Sequence, residues 1–263
     1  MTTPILTASD VTVQFGGLRA CDGVGFEVTR GELFAIIGPN GAGKTSVLNA
    51  ITGIYRPLQG ASIVYCDRQG RKHELIGMKP HRIVRLGIAR TFQNLGLFPH
   101  LSVLDNLMLG RYIHQKRGVL STGLFLPAAV REELEQRESV ERVIELLEMA
   151  EFRWEQVGSL PYGIQKRIEL GRVLTMEPDL LLLDEPMAGM SVEEKRDILR
   201  FIFEIQRRLG VTVILIEHDM AVVMSVAERI LALNFGRPLT IGTPEDVARH
   251  PEVVEAYLGA NGG

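Results

Sequence analysis

Three observations predict an α/β fold built on a mainly parallel sheet. Three short apolar runs, Leu33-Phe34-Ala35-Ile36-Ile37, Leu180-Leu181-Leu182-Leu183 and Val211-Thr212-Val213-Ile214-Leu215-Ile216, each end in glycine or acidic residues. Runs of that length without polar alternation fit strands buried on both faces, as in a parallel sheet covered by helices. Between the second and third run, Ser191 to Leu209 reads as a helix. Ser191 and Glu194 spell a capping box, Ile198, Ile202, Ile205 and Leu209 follow one face, and Gly210 stops it. That is the crossover a parallel strand pair requires.

The flanking segments differ from this pattern. The first thirty or so residues, with Val11-Thr12-Val13-Gln14-Phe15 in alternation and glycine-rich turns, predict an antiparallel sheet. From Val130 to Ala150 a helix is expected, with Val140, Val143, Ile144 and Leu147 on one stripe. Its seven Glu against three Arg between Arg131 and Glu148 describe a solvated face. One domain over residues 1–263 is expected, with a core of 1–93 and 161–263 and an inserted helical subdomain at 94–160.

Composition narrows the function classes. The 263 residues carry 29 Lys and Arg against 32 Asp and Glu, a net charge of −3, which gives no overall basic field for nucleic acid. Two cysteines, Cys21 and Cys66, make neither a disulfide framework nor a zinc site and fit a reducing compartment. Mean hydropathy is mildly positive at +0.11. Yet no apolar run approaches the roughly 18 residues of a membrane span. The N-terminus lacks the basic and long apolar regions of a signal peptide. The expectation is a chain that neither spans a membrane nor is exported by that route.

The first run leads into Gly38-Pro39-Asn40-Gly41-Ala42-Gly43-Lys44-Thr45, followed by Ser46. This is the phosphate-loop pattern G-x-x-x-x-G-K-[ST] in its strand-then-helix setting. Glycines let backbone N–H groups converge on phosphate oxygens, and the helix turns its positive end to the same anion. Lys44 would reach the β- and γ-phosphates and Thr45 would ligate Mg²⁺. The second run ends in Asp184, expected to hold the Mg²⁺ water shell, and Glu185 follows as a candidate general base.

With these elements in place, the chain resembles the ATP-binding subunits of ABC transporters along essentially its whole length. Leu160-Pro161-Tyr162-Gly163-Ile164-Gln165 is similar to the Leu-Ser-Gly-Gly-Gln signature. Gln93 sits where the family has its Q-loop glutamine, His218 where it has the switch histidine, and Phe15 where an aromatic stacks on adenine. The elements also stand in the family's order. The resemblance implies a RecA-like core and an ATP hydrolase. Two such subunits, identical or paralogous, would meet head to tail, with each ATP between Gly38–Ser46 of one and Tyr162-Gly163 of the other. Thr45, Gln93 and, through water, Asp184 would hold Mg²⁺. Glu185, His218, Lys44 and Gln93 would carry catalysis.

Phe15-Gly16-Gly17-Leu18-Arg19-Ala20, Arg90-Thr91-Phe92-Gln93, Ile216-Glu217-His218-Asp219-Met220 and the ending from Gly242 through Tyr257-Leu258-Gly259 look like the branched-chain amino-acid importer ATPases. The lipopolysaccharide-extracting ATPase is similar and is the nearest alternative. The segment from Gly110 to Pro127 and the Tyr162-Gly163 pair favour the importer group. The resemblance therefore implies a peripheral subunit on the cytoplasmic face of the membrane. Its partners would be permease subunits and, indirectly, a periplasmic binding protein. A soluble ABC-type ATPase working on nucleic acid would show paired cassettes, coiled coils, zinc cysteines or basic arms. A GTPase would carry Asn-Lys-x-Asp. Neither pattern is in the sequence.

Three positions depart from the family pattern. Pro161 replaces the signature serine, Ile164 stands in place of the usual glutamine, and Ser191 stands where many relatives have aspartate. The Gly163 N–H and the helix dipole are expected to suffice at the signature. Ser191 can still cap the helix that follows.

Overall fold

The computed structural model describes residues 4–91, 96–114 and 127–259. The chain opens with a hairpin of β1 (Pro4–Phe15) and β2 (Leu18–Thr29), then enters β3 (Leu33–Ile37), every residue of which is buried. The helix α1 (Lys44–Ile51) follows the glycine-rich loop directly. Next, β4 (Ser62–Cys66) and β5 (Lys72–Glu74) join the hairpin in an antiparallel sheet of order β2-β1-β4-β5. Then come α2 (Pro80–Arg85) and the short β6 (Ile88–Arg90).

Among the described residues, three α-helices follow before the sheet resumes: α3 (Val103–Arg111), α4 (Pro127–Leu146) and α5 (Tyr162–Leu174). The apolar run β7 (Leu180–Asp184) leads through α6 (Val192–Leu209) to β8 (Thr212–Ile216). The chain ends with α7 (Met220–Val226), β9 (Arg229–Asn234), β10 (Arg237–Gly242), α8 (Pro244–Ala248) and α9 (Pro251–Gly259). The second sheet has the order β10-β9-β3-β8-β7-β6, parallel throughout except where β10 meets β9.

These elements form two compact units. The first holds residues up to Arg90, Asp179–Pro186 and the chain from Ile202 onward. Its core joins both sheets to α1: Leu6, Val13 and Val28 from one sheet meet Ile36, Ile216 and Leu231 from the other around Val47, Leu48 and Ile51. Phe26 and Phe34 stack with centroids 5.4 Å apart. Each such side chain contributes about 1.5–3 kcal/mol by leaving water.

The second unit spans Thr91–Pro178 and Met187–Phe201, so α5 and the first part of α6 belong to it. Its core includes Leu104 and Leu107 of α3, Val140 and Ile144 of α4, and Ile168 and Leu170 of α5. Buried Asn106 pins the preceding turn by accepting from the Phe98 N–H at 2.9 Å and donating to the Phe98 and Ser102 carbonyls at 3.0 Å. Ile198, Ile202 and Ile205 are buried as the helical stripe requires, and Gly210 ends α6 at φ 65. Leu209 departs from the expected face: it is the last residue of α6, a turn beyond the buried stripe, and stands exposed.

Candidate nucleotide site

Register brings the predicted chemistry to one edge of the parallel sheet. β3 pairs with β8 through Ile36 and Ile216, and Ile216 in turn pairs with Asp184 on β7. The loop after β3, Glu217-His218 after β8 and Asp184-Glu185 at the end of β7 therefore leave the sheet side by side. The carboxyl ends of parallel strands are where α/β folds bind ligands.

The loop from Gly38 to Gly43 is shaped by close backbone approach. A Cβ on Gly38 would collide with the Leu233 carbonyl, and one on Gly43, at φ 97, with the Ala20 carbonyl. The Ala42 N–H donates to the Pro39 carbonyl and the Gly236 N–H to the Ala42 carbonyl, each at 3.1 Å. Helix α1 starts at Lys44 without a side-chain cap, leaving its first amides as donors for an anion. Pro39, Thr45 and Ser46 are half-buried, while Asn40 and Gly41 are exposed at the rim. A cavity of about 680 Å³ is lined by Pro39, Asn40, Gly41 and Ala42 together with Phe235 and residues of α9, among them Glu252 and Glu255.

Charge is concentrated at the base of this loop. Lys44 is only 5 % exposed, and its Nζ donates to the carbonyls of Gly38 at 2.8 Å and Pro39 at 3.0 Å. Burial pulls its pKa down, against the opposing pull of the Glu185 and Asp184 carboxylates. Asp184 is buried and accepts from Arg90 Nη2 at 2.8 Å. Glu185 is half-buried and holds φ at 50, in the left-handed region that side chains other than glycine rarely adopt. Its N–H is tethered to the Ile216 carbonyl at 3.0 Å. His218 is 55 % exposed, with Nδ1 3.7 Å from Oε2 of buried Glu217.

Phe15, half-exposed at the end of β1, meets Tyr55 edge to face at 4.9 Å. Tyr162 and Gly163 open α5 in the helical unit. Gln93 lies outside the described residues. Among the described residues no cluster of three His, Cys, Asp or Glu could hold a metal by itself. Thr45 and Asp184 offer a hydroxyl and a carboxylate, the hard oxygen donors Mg²⁺ takes alongside phosphates and water.

A family model described as ABC transporter matches residues 21–188. The chain belongs to the ABC transporter family. A second model, described as Branched-chain amino acid ATP-binding cassette transporter, matches residues 237–262 of this ABC protein. The high-affinity branched-chain amino acid transport ATP-binding protein BraF of Pseudomonas aeruginosa is 41% identical over 260 residues, covering 98% of this chain and 99% of BraF. LivG of Escherichia coli K12, named for the same transport, is 37% identical over 98% of this chain and 99% of its own. A crystal structure of an ABC transporter ATP-binding cassette in its ADP conformation is 28% identical with a TM-score of 0.83, covering 98% of this chain and 100% of that one. A nucleotide-free cassette gives 27% and 0.81, over 97% and 99%.

As an ABC transporter ATPase the chain binds nucleotide and hydrolyses ATP to drive transport. No helix among the described residues is long and apolar enough to cross a membrane. Arg90 was missed as a site residue of this ATPase. It lies in the Arg90-Thr91-Phe92-Gln93 run, but nothing in that run says where its guanidinium goes.

Proposed function

We propose that this ABC transporter ATPase powers import of branched-chain amino acids or a related small polar solute. It would work from the cytoplasmic face of the membrane, docked on permease subunits and served indirectly by a periplasmic binding protein. One observation carries the reading: the 41% identity to BraF runs over 98% of this chain. The matching C-terminal segment, residues 237–262, supports it independently of the nucleotide motifs.

The substrate of the site is ATP with Mg²⁺. Two chains, identical or paralogous, meet head to tail, each ATP lying between Gly38–Ser46 of one and Tyr162-Gly163 of the other, with Phe15 beside the adenine. Loop amides and the uncapped start of α1 receive the phosphates, and Lys44 offsets the charge that develops on them. Thr45, Gln93 and, through water, Asp184 would hold Mg²⁺, which supplies charge neutralisation at the phosphate oxygens. Glu185 takes a proton from the attacking water as its oxygen bonds the γ-phosphorus and the bond to the bridging oxygen of ADP breaks. His218, on its exposed turn, contacts the γ-phosphate. Loss of that group removes the bridge between chains and reopens them.

The Glu185→Gln variant tests the base assignment. ATP binding should persist while turnover falls by about 10²-fold or more. Hydrolysis at the wild-type rate would overturn the assignment. Reconstitution with its permease in vesicles tests the cargo: ATP-dependent uptake of leucine or a related small polar solute is expected, and uptake of neither would reject it.

A further inference from the structure

Helix α5 begins without a side-chain cap, since Pro161 at its N-cap position offers neither hydroxyl nor N–H. An anion is brought to this helix start from another helix of the same unit. The Glu194 carboxylate lies against Gly163, and its Oε2 accepts the Ser191 N–H at 2.8 Å. The Glu194 N–H in turn donates to Ser191 Oγ at 3.3 Å. One carboxylate therefore serves the N-termini of α5 and α6 together.

The fit depends on glycine. A Cβ at position 163 would fall 2.9 Å from the Glu194 carboxyl carbon and closer still to Oε1. The Ser191 amide, with smaller help from the Gly163 amide, holds the carboxyl below its ordinary range, so it is an anion at neutral pH. The Tyr162 hydroxyl donates to the Ala188 carbonyl at 3.2 Å, joining the start of α5 to the turn before α6.

We propose that Glu194 is a positioning residue whose carboxylate occupies, as an internal anion, the place at Gly163 that the γ-phosphate brought by a second chain takes. Its charge then sets the ATP level at which two chains close. The inference rests on the head-to-tail reading above. Two anions cannot share one place, and a carboxylate left beside a phosphate repels it. Its bond to the Ser191 N–H gives Glu194 an anchor to keep when it leaves Gly163.

The test uses the full chain carrying Glu185→Gln, so that bound ATP is not consumed. The ATP concentration giving half-maximal dimerisation is measured by sedimentation, alongside Tm. Adding Glu194→Gln keeps the shape and an acceptor for the Ser191 N–H and removes the charge. The half-point is expected to fall about tenfold, the size of one partly screened charge contact, with Tm little changed. Glu194→Ala removes acceptor and charge together, and should lower both Tm and the half-point. A purely structural cap predicts otherwise: Gln like the parent, and Ala needing more ATP. That result, or a half-point indifferent to both changes, overturns the inference alone. A parent that forms no dimer with ATP overturns the head-to-tail reading and this inference with it.

Discussion

Arg90 Nη2 donates to Asp184 Oδ2 at 2.8 Å, and both side chains are almost wholly buried. The same guanidinium reaches Asn49 Oδ1 on α1 at 2.6 Å through Nη1. One residue thus couples the strand end that carries Asp184 to the helix that starts at Lys44. Removing one partner of a buried ion pair typically costs about 3–5 kcal/mol, because the other charge stays buried. Arg90→Met should lose stability of that order in urea unfolding and weaken ATP binding as well. Arg90→Lys should recover only part, since an ammonium cannot replace a planar fork that holds two acceptors. A Met variant as stable as wild type would show that the pair does not brace the site.

Lys44 presents a different balance. It is buried, its ammonium rests on the Gly38 and Pro39 carbonyls, and desolvation is the main cause of its lowered pKa. Replacing it with an apolar chain of similar length removes a buried charge along with its hydrogen bonds. Lys44→Met should therefore fold with near wild-type Tm, while ATP affinity falls by about tenfold or more. Fluorescent-nucleotide titration checks the second expectation and calorimetry the first. Unchanged affinity would remove Lys44 from the phosphate site.

Much of the site was legible because its signals are local. β3, β7 and β8 announced themselves as apolar runs, and the loop pattern needed only eight adjacent residues, Gly38 to Thr45. Arg90 was not legible, since its partners lie 41 and 94 residues away and only strand pairing gathers them. β6 is Ile-Ala-Arg, too short for any periodicity to show. Glu194 forms the capping box with Ser191 that the sequence spells, but its second contact, with Gly163 on another helix, leaves no trace in spacing. The exposed end of α6 at Leu209 is the same lesson in reverse, a periodic pattern running one turn past its packing partners.

Gly43 combines two constraints, φ 97 and a backbone carbonyl where a Cβ would sit. Gly41 has only the first, φ 81, with open space around it. Gly41→Ala should thus cost only the left-handed strain, about 1–2 kcal/mol. Gly43→Ala must also displace β2 at Ala20, and should destabilise by clearly more and abolish ATP binding. Paired urea titrations rank the two. Equal losses would mean that the Ala20 contact yields without cost.

The β4–β5 hairpin carries the clearest acid dependence. The Asp67 carboxylate accepts from His73 Nε2 at 2.9 Å, Arg71 Nε at 2.8 Å, and the Gln69 and Arg71 backbone N–H groups at 2.9 Å. These bonds, the His73 contact foremost, hold its pKa well below the ordinary 3.8. A carboxyl with a depressed folded-state pKa contributes stability that is fully present above its unfolded value and is lost as pH falls through the folded one. Asp67→Asn should lower Tm at neutral pH, and the gap to wild type should narrow steadily below pH 3.8. Asp22, Glu148 and Glu194 are depressed as well and add to acid unfolding, but they are common to both proteins and drop out of the difference. Calorimetric scans of the two proteins from pH 7 down to about 3 measure the gap directly across that range. A gap that widens toward low pH would reverse the sign and show that Asp67 is stabilised in its protonated form.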